Sequence, residues 1–219
     1  MKVTSAPASW RVDPYRVTDF ARNQGDREAF MLFCAAVANK KATVIADKIH
    51  AFLDTSGHAG TPFERVRAMV AEGSLDDAMR HVRLGKYALL GACYAALVRD
   101  PALDLRTVTA AQLEALPGFG PKTARFFVLH SVANARCAVI DTHVLKMLRD
   151  MGAERIPKGF PTAREYPHLE VLVLAEADRL GLTPQDFDLK VWTWYSRRNQ
   201  GLPDFMVASA QVDTSQVLV

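Results

Sequence analysis

The chain has 219 residues, 49% of them hydrophobic and 23% charged, which is the composition of a globular protein with one large domain or two small ones. The net charge of +3 and the isoelectric point near 8.8 are too mildly basic to indicate nucleic-acid binding unless the charges cluster. The three cysteines lack metal-ligand spacing and no apolar run reaches the roughly 18 residues of a membrane span, so we expect a cytoplasmic protein with reduced thiols.

The N-terminal half of the chain is predicted to be helical. Asp13-Pro14 can start a helix that continues to residue 23, and residues 26–38 place their apolar side chains on one face of a second helix. A polar interruption at residues 38–41 precedes a helix over residues 42–53. Residues 84–98 are apolar on most sides and are predicted to form a central buried helix.

A Gly-rich turn between two short helices follows at residues 109–132. Thr109 and Gln112 have the capping-box spacing that starts the first of these helices. Gly118 helps to end it, and Pro121 suits the first position of the next helix because its missing N–H is not needed there. The segment is therefore predicted to be a helix, a hairpin and a helix.

The hairpin residues Leu116, Gly118, Phe119 and Gly120 are predicted to bind an anion. The two glycines lack Cβ, so a phosphate can approach the backbone closely and meet the N–H groups of the turn and the helix start. Contacts of this kind position a nucleic acid without reading its sequence. A dinucleotide site is disfavoured, because Thr123 occupies the third-glycine position of that motif.

Lys122 lies in the first turn of the helix that follows the hairpin. A cation there opposes the helix dipole, and partial burial would act in the same direction. Both effects favour the neutral amine, which is a nucleophile. The alternative is that Lys122 is an ordinary solvated surface charge.

Asp141 is predicted to be a helix N-cap, because it follows the apolar run Cys137-Ala-Val-Ile140 and precedes a segment with helical spacing. One interpretation is that it only caps. The other adds chemistry, since a carboxylate held by backbone N–H groups stays ionised in a fixed orientation. Such a group suits the stabilisation of positive charge on a sugar, or the removal of a proton from Lys122.

The sequence Leu-Pro-Gly-Phe-Gly-Pro-Lys-Thr-Ala at 116–124, with Val-Ile-Asp-Thr-His-Val after it, resembles the helix-hairpin-helix (HhH-GPD) DNA glycosylase superfamily over about residues 20–200. This superfamily includes endonuclease III and the 8-oxoguanine glycosylases. The resemblance implies that Lys122 attacks C1′ of a flipped-out nucleotide, and that a Schiff base then allows strand cleavage by β-elimination. Asp141 matches the essential carboxylate. Members without the lysine use water, so Lys122 predicts a bifunctional glycosylase/AP lyase.

The chain departs from endonuclease III-like members, which often carry a four-cysteine iron–sulfur loop after the aspartate helix. Cys137 is the last cysteine, so we predict no cluster and no other cofactor, apart from the monovalent cation that such hairpins often hold. The sequence Asp-Leu-Lys-Val-Trp-Thr-Trp-Tyr at 188–195 is more similar to the compact archaeal-type 8-oxoguanine glycosylases. The alternatives are a glycosylase for an oxidised pyrimidine or another damaged base, and a non-catalytic DNA-binding module.

The resemblance also implies a pocket for the flipped base. Phe126, one helical turn after Lys122 on the same face, is the candidate that stacks on the base. Asp188 could accept hydrogen bonds from a purine, or could simply lie at the surface. Trp192 and Trp194 are further pocket candidates, with the protein core as the alternative.

We predict an all-α protein, because about ten helical segments follow one another with short links. The resemblance implies a helical barrel over residues 26–135, a second lobe of residues 1–25 and 136–219, and an active-site cleft between them. Asn39 is the candidate that fills the gap left by the flipped base, unless residues 38–41 only form a polar turn. The expected partner is damaged double-stranded DNA, bound by a monomer that is nucleoid-associated if prokaryotic.

Overall fold

The computed structural model describes residues 10–38, 40–100 and 102–207. Within these ranges it contains eleven helices and no strand, which confirms the predicted all-α fold class. Contacts between Cα atoms divide the chain into two compact units, with the boundary after Ala133. No helix in the described ranges is long and apolar enough to cross a bilayer.

Seven helices belong to the first unit: α1 (Gln24–Ala36), α2 (Ala42–Thr55), α3 (Pro62–Glu72), α4 (Leu75–His81), α5 (Tyr87–Arg99), α6 (Ala110–Glu114) and α7 (Pro121–Ser131). The central helix is α1, which is buried along most of its length and contacts α2, α3, α5 and α7. The sequence instead predicted that the helix over residues 84–98, which corresponds to α5, would be the central buried one. Helix α5 buries only one side, and Leu89 on the other side is 49% exposed.

Residues 10–23 are not helical, so the helix predicted from residue 13 to residue 23 is wrong. The Asp13 carboxylate accepts the Tyr15 N–H at 2.8 Å, and the Asp19 carboxylate accepts the Ala21 N–H at 2.9 Å. Such bonds to the backbone two residues ahead compete with helix formation. Asn23 ends the segment as the N-cap of α1.

Arg22 fastens this N-terminal segment to the first unit. Its guanidinium donates to the Val17 carbonyl at 2.6 Å and to the His130 carbonyl at 3.0 Å, and the Asp19 N–H donates to the same His130 carbonyl at 3.1 Å. The described part of residues 1–25 therefore groups with the helices up to Ala133. This grouping differs from the predicted one, in which residues 1–25 join residues 136–219.

The second unit contains α8 (Thr142–Asp150), α9 (Tyr166–Arg179), α10 (Pro184–Ser196) and α11 (Asp204–Val207). The first three of these helices enclose an apolar core together with Ala138 and Ile140, which precede α8. Thr183 caps α10 by accepting the Asp186 N–H at 3.1 Å. This core holds the starts of α8 and α10 in fixed positions.

Candidate active site

The hairpin between α6 and α7 is a tight turn closed by a hydrogen bond. The Phe119 N–H donates to the Leu116 carbonyl at 3.3 Å. Pro117 is the second residue of the turn and Gly118, at φ +85°, is the third, which is the arrangement of a type II turn. The helix, hairpin and helix predicted from the sequence are therefore present.

Glycine is required at residue 118 for its backbone angle and for the space around it. A Cβ built there would lie 3.1 Å from the Cβ of Cys93. Gly120 differs, because no atom beyond the neighbouring residues lies within 4 Å of the place where its Cβ would stand. That side of the hairpin is open to an approaching phosphate. The Phe119 side chain is buried and anchors the turn, so Phe119 can offer an approaching phosphate only its main chain.

Lys122 is the second residue of α7, directly after Pro121, and its side chain is half-buried. The positive charge lies near the buried thiol of Cys34 on α1. Burial raises the pKa of that thiol, and the charges of Arg22 and Lys122 act in the opposite direction. The partial burial of Lys122 disfavours the alternative of a fully solvated surface charge.

Phe126 follows Lys122 by one helical turn, as predicted, and is half-buried. Its ring packs against Phe30 of α1, with 6.0 Å between the ring centroids. It also packs at a steep angle against the His130 ring, with 5.1 Å between the ring centroids. The aromatic surface is therefore fixed by two neighbours while part of it stays accessible, which is what stacking on a base requires.

Three residues that support Phe126 were missed by sequence reasoning. The Arg22 guanidinium lies 3.9 Å from the centroid of the Phe30 ring. His130 is fully buried, and its Nδ1 lies 2.7 Å from Oγ1 of Thr18. The Thr18–His130 pair is separated by 112 residues in the chain, so no local pattern signals it.

Asp141 is the N-cap of α8, as predicted, and is half-buried. Its Oδ1 accepts the N–H of His143 at 2.8 Å and the N–H of Val144 at 2.9 Å. Two backbone donors on one oxygen fix the orientation of the carboxylate and favour its ionised form.

The segment before Asp141 is clamped by α9. The Tyr166 hydroxyl donates to the Ala138 carbonyl at 3.0 Å and accepts the Ile140 N–H at 2.9 Å. The Glu170 carboxylate accepts the Ala138 N–H at 2.9 Å. Tyr166 and Glu170 therefore determine where Asp141 lies, although nothing in the sequence pattern pointed to either of them.

The pocket residues predicted on α10 lie on two different faces. Trp192 lies one turn after Asp188 and is 51% exposed. Its ring is nearly perpendicular to the His143 ring, with 6.2 Å between the ring centroids. Trp194 points away from Asp188 and Trp192, because two residues along a helix correspond to a rotation of about 200°. Its indole N–H donates to the Gly201 carbonyl at 3.2 Å, and its ring packs against the core of the second unit. Trp194 therefore packs against the core, which was the alternative interpretation, and it does not share a face with Asp188 and Trp192.

Asn39, the predicted gap filler, lies outside the described residues. Three lysines surround its junction and form what we call the lysine cluster: Lys40, Lys48 and Lys86. Each ammonium group donates to a main-chain carbonyl. Burial lowers the pKa of Lys40, and the charges of Lys86 and Lys48 lower it further, so the three cations are close together. This is the local clustering of positive charge that the overall composition did not reveal.

Comparison with known proteins by sequence gives a match over part of the chain. No protein-family model matches the chain. The 8-oxoguanine DNA glycosylase/AP lyase of Thermotoga sp. (strain RQ2) is 36% identical to it over 76 residues, which are 34% of this chain and 36% of that protein. The chain thus matches only about a third of this curated relative's length.

Solved structures with a similar fold include two glycosylases. The Methanocaldococcus jannaschii 8-oxoguanine glycosylase/lyase, in complex with 15mer DNA containing 8-oxoguanine, matches with a TM-score of 0.61 and 18% identity over 86% of this chain and 90% of that one. The 8-oxoguanine DNA glycosylase of Thermotoga maritima matches with a TM-score of 0.61 and 19% identity over 85% and 88%. The chain therefore has the fold of a DNA glycosylase. The matched proteins, by sequence and by structure, are named as 8-oxoguanine glycosylases, and these names agree with the resemblance read from the hairpin and Asp141.

Proposed function

We propose that this protein is a bifunctional DNA glycosylase/AP lyase that excises 8-oxoguanine from duplex DNA. The observation that carries the proposal is the combination of Lys122, in the first turn after the hairpin, with Asp141, whose carboxylate is fixed at a helix start. The names of the relatives support the choice of base and the lyase activity.

Lys122 is the proposed nucleophile. Its Nζ attacks C1′ while the bond from C1′ to the base breaks, and the electron pair of that bond leaves with the base. The sugar ring then opens as O4′ takes a proton, which leaves a protonated imine between Nζ and C1′. Loss of a proton from C2′ expels the 3′-phosphate, and this β-elimination cuts the strand.

Asp141 is the proposed acceptor for the proton that the Lys122 amine loses on attack. The departing base needs one proton, and Asp141 can pass to it the proton that it accepts from Lys122. The negative charge also stabilises the positive charge that develops on the sugar as the bond to the base breaks. The two backbone N–H groups on Oδ1 keep the carboxylate ionised before the reaction.

The proposed base pocket uses Phe126, Asp188 and Trp192. Phe126 offers a supported aromatic surface for stacking, and Trp192 offers an exposed ring. The Asp188 carboxylate is proposed to accept hydrogen bonds from N1–H and the exocyclic amine of the purine. Trp194 is left out of this pocket because of its contacts with Gly201 and the core.

The DNA backbone is proposed to meet the protein at two places in the first unit. The hairpin offers main-chain N–H groups beside Gly120, where the space is open. The lysine cluster offers positive charge around the junction that contains Asn39. Asn39 keeps its proposed role as the residue that enters the gap left by the flipped base.

We propose no iron–sulfur cluster, because the chain has three cysteines and all three are buried. A monovalent cation at the hairpin would be held by main-chain carbonyls, and no step above depends on it. The monomeric state and the cytoplasmic, nucleoid-associated location stay predictions.

Borohydride trapping tests the proposal directly. The full-length protein is incubated with a duplex that contains one 8-oxoguanine, and borohydride reduces any imine to a stable protein–DNA adduct. We expect an adduct with the wild-type protein and with Lys158→Gln, which changes an exposed lysine, but none with Lys122→Gln.

The other outcomes separate the alternatives. An adduct with an oxidised pyrimidine or an abasic site, but not with 8-oxoguanine, would keep the mechanism and change the substrate. If Lys122→Gln removes bases as fast as the wild type, the nucleophile assignment fails. Duplex binding without any adduct or base release would leave a non-catalytic DNA-binding module.

A further inference from the structure

A cavity of about 440 Å³ lies beside the first turns of α1, and none of the residues assigned to the reaction lines it. Its other walls are Phe63 at the start of α3 and the loop of residues 102–106 that precedes α6. Cavities of a few hundred Å³ are large enough for a small ligand. None of the steps proposed above uses this cavity.

Arg27 of α1 forms part of the cavity wall and is underpaired. The residue is only 7% exposed, yet in the part of the chain that the structure describes its Nε has no hydrogen-bond partner. One of its terminal nitrogens donates to the Phe20 carbonyl at 3.1 Å. A guanidinium has five N–H donors, and a buried cation without an anionic partner is costly.

The neighbouring carboxylates offset this cost only in part. Burial and the positive charge of Arg106 lower the pKa of Arg27, whereas the carboxylates of Asp104 and Asp19 act in the opposite direction. The Asp104 carboxylate is paired with Arg106 at 3.1 Å. The hydrogen bonds of the Glu28 carboxylate go to the Phe63 N–H at 2.9 Å and the Gln24 side-chain amide at 3.0 Å, and not to Arg27.

We propose that this cavity is a phosphate-binding site in which Arg27 and Arg106 hold the phosphate oxygens. The planar donors of arginine match the geometry of a phosphate, and a phosphate between the two guanidiniums would offset their mutual repulsion. The positive end of the α1 dipole adds to the attraction. The phosphate belongs either to the DNA backbone or to a free phosphorylated compound.

The test is a titration of the full-length protein with inorganic phosphate at constant ionic strength and without DNA. Binding is followed by the rise in the midpoint of thermal unfolding. The test variant is Arg106→Gln, because the Arg106 side chain is 73% exposed and its replacement leaves the buried core unchanged. The matched control is Arg99→Gln, an exposed arginine at the end of α5.

We expect phosphate to stabilise the wild type and Arg99→Gln alike, and the Kd for phosphate to rise roughly tenfold in Arg106→Gln, as the loss of one charge-assisted contact predicts. The Nε–H resonance of Arg27 in the wild type should also shift on titration. This second readout avoids the unfolding that replacement of a buried arginine could cause.

The proposal is overturned if phosphate leaves the wild type unchanged, or if it stabilises Arg106→Gln as strongly as the control. A parallel titration with undamaged duplex separates the two sources of the phosphate. Weaker duplex binding by Arg106→Gln than by Arg99→Gln identifies the DNA backbone, whereas equal binding identifies a free compound. Neither readout involves base excision, so this proposal and the proposed enzyme activity can fail separately.

Discussion

The Nδ1 of His130 lies 2.7 Å from the hydroxyl of Thr18, which ties the segment before α1 to the end of α7. The ring of the same histidine packs at a steep angle against the Phe126 ring, with 5.1 Å between the centroids, and its carbonyl accepts a hydrogen bond from the Arg22 guanidinium at 3.0 Å. His130 is fully buried, so these contacts are made without competition from water. The position of the proposed stacking ring therefore depends on a residue more than 100 positions earlier in the chain.

Thr18→Val tests this dependence, because it removes the hydroxyl and keeps the shape of the side chain. We expect the free energy of unfolding, measured with urea, to fall by about 1–2 kcal/mol, which is the cost of losing a hydrogen bond to a buried group. Excision of 8-oxoguanine in a single turnover should fall more than binding does, since the stacking ring is loosened. The control is Thr107→Val, in which the threonine is exposed. Equal effects of the two variants would contradict the prediction.

Asp141 combines a structural role with a proposed chemical one, and two substitutions separate them. Asp141→Asn keeps an oxygen that can accept the His143 and Val144 N–H groups, so its stability should stay close to that of the wild type. Its excision rate should fall by about 100-fold or more, because the amide cannot accept a proton. Asp141→Ala should lose the same activity and also about 1 kcal/mol of stability. Urea unfolding and single-turnover excision measure the two effects, and an active Asp141→Asn would refute the chemical role.

The features that the sequence predicted correctly depend on contacts between near neighbours in the chain. Thr109 forms the predicted capping box and Asp141 caps α8, both through hydrogen bonds to residues two or three positions ahead. The type II turn of the hairpin needs only the Pro117-Gly118 pair. Local hydrogen-bonding chemistry contributes most to these particular elements, so the sequence alone could place them.

The features that the sequence could not predict depend on contacts between distant residues. The central position of α1 was hidden because Arg27 and Glu28 are charged and yet buried. The clamp that Tyr166 forms on the segment before Asp141 spans 26 and 28 residues. The indole of Trp194 turned out to bond to Gly201, which only the path of the chain after α10 could show.

Tyr166→Phe tests the clamp. The change removes the hydroxyl that bonds to the N–H of Ile140 and the carbonyl of Ala138. We therefore expect the free energy of unfolding, measured with urea, to fall by about 2 kcal/mol. Because Asp141 follows directly, its carboxylate should be less well fixed, and excision should slow even at temperatures where the variant is folded. Tyr15→Phe, at a tyrosine that is 87% exposed, is the matched control. Unchanged excision by a folded Tyr166→Phe would show that the clamp has no part in the reaction.

Cys93 lies beneath the hairpin and gives the protein a predictable dependence on alkaline pH. Burial raises the pKa of its thiol from 9.0 to about 12. The stability that the neutral thiol contributes is complete below pH 9 and is lost as the pH rises towards 12, because the unfolded chain then releases a proton that the folded chain keeps. The free energy of unfolding should therefore fall by up to about 1.4 kcal/mol for each pH unit in this window.

Comparison of the wild type with Cys93→Ala isolates this contribution. The substitution removes the thiol, so the free energy of unfolding should decline less steeply between about pH 9 and about pH 10 than in the wild type. Cys34 is also buried with a raised pKa and is present in both proteins, so it contributes equally to both slopes. Identical slopes would mean that the Cys93 thiol is not protected from water in the folded protein.

The lysine cluster allows a test of DNA binding that does not depend on excision. Lys86 is exposed, and its ammonium lies near those of Lys40 and Lys48. Lys86→Gln should weaken binding to undamaged and damaged duplexes by the same factor, because phosphate contacts carry no base information. The slope of log K against log salt should become shallower by about one, the signature of one lost phosphate contact.

Lys158→Gln is the control for this loss of charge, since Lys158 is exposed and belongs to the second unit. A general effect of net charge would change the salt slope equally in both variants, whereas a contact at the junction changes it only in Lys86→Gln. The left-handed backbone of Lys86, at φ +54°, is equally strained in the wild type and in the glutamine variant, so a difference in binding cannot come from that strain. If the two slopes agree, the phosphate contacts lie elsewhere and the proposed place of Asn39 in the DNA gap loses its support.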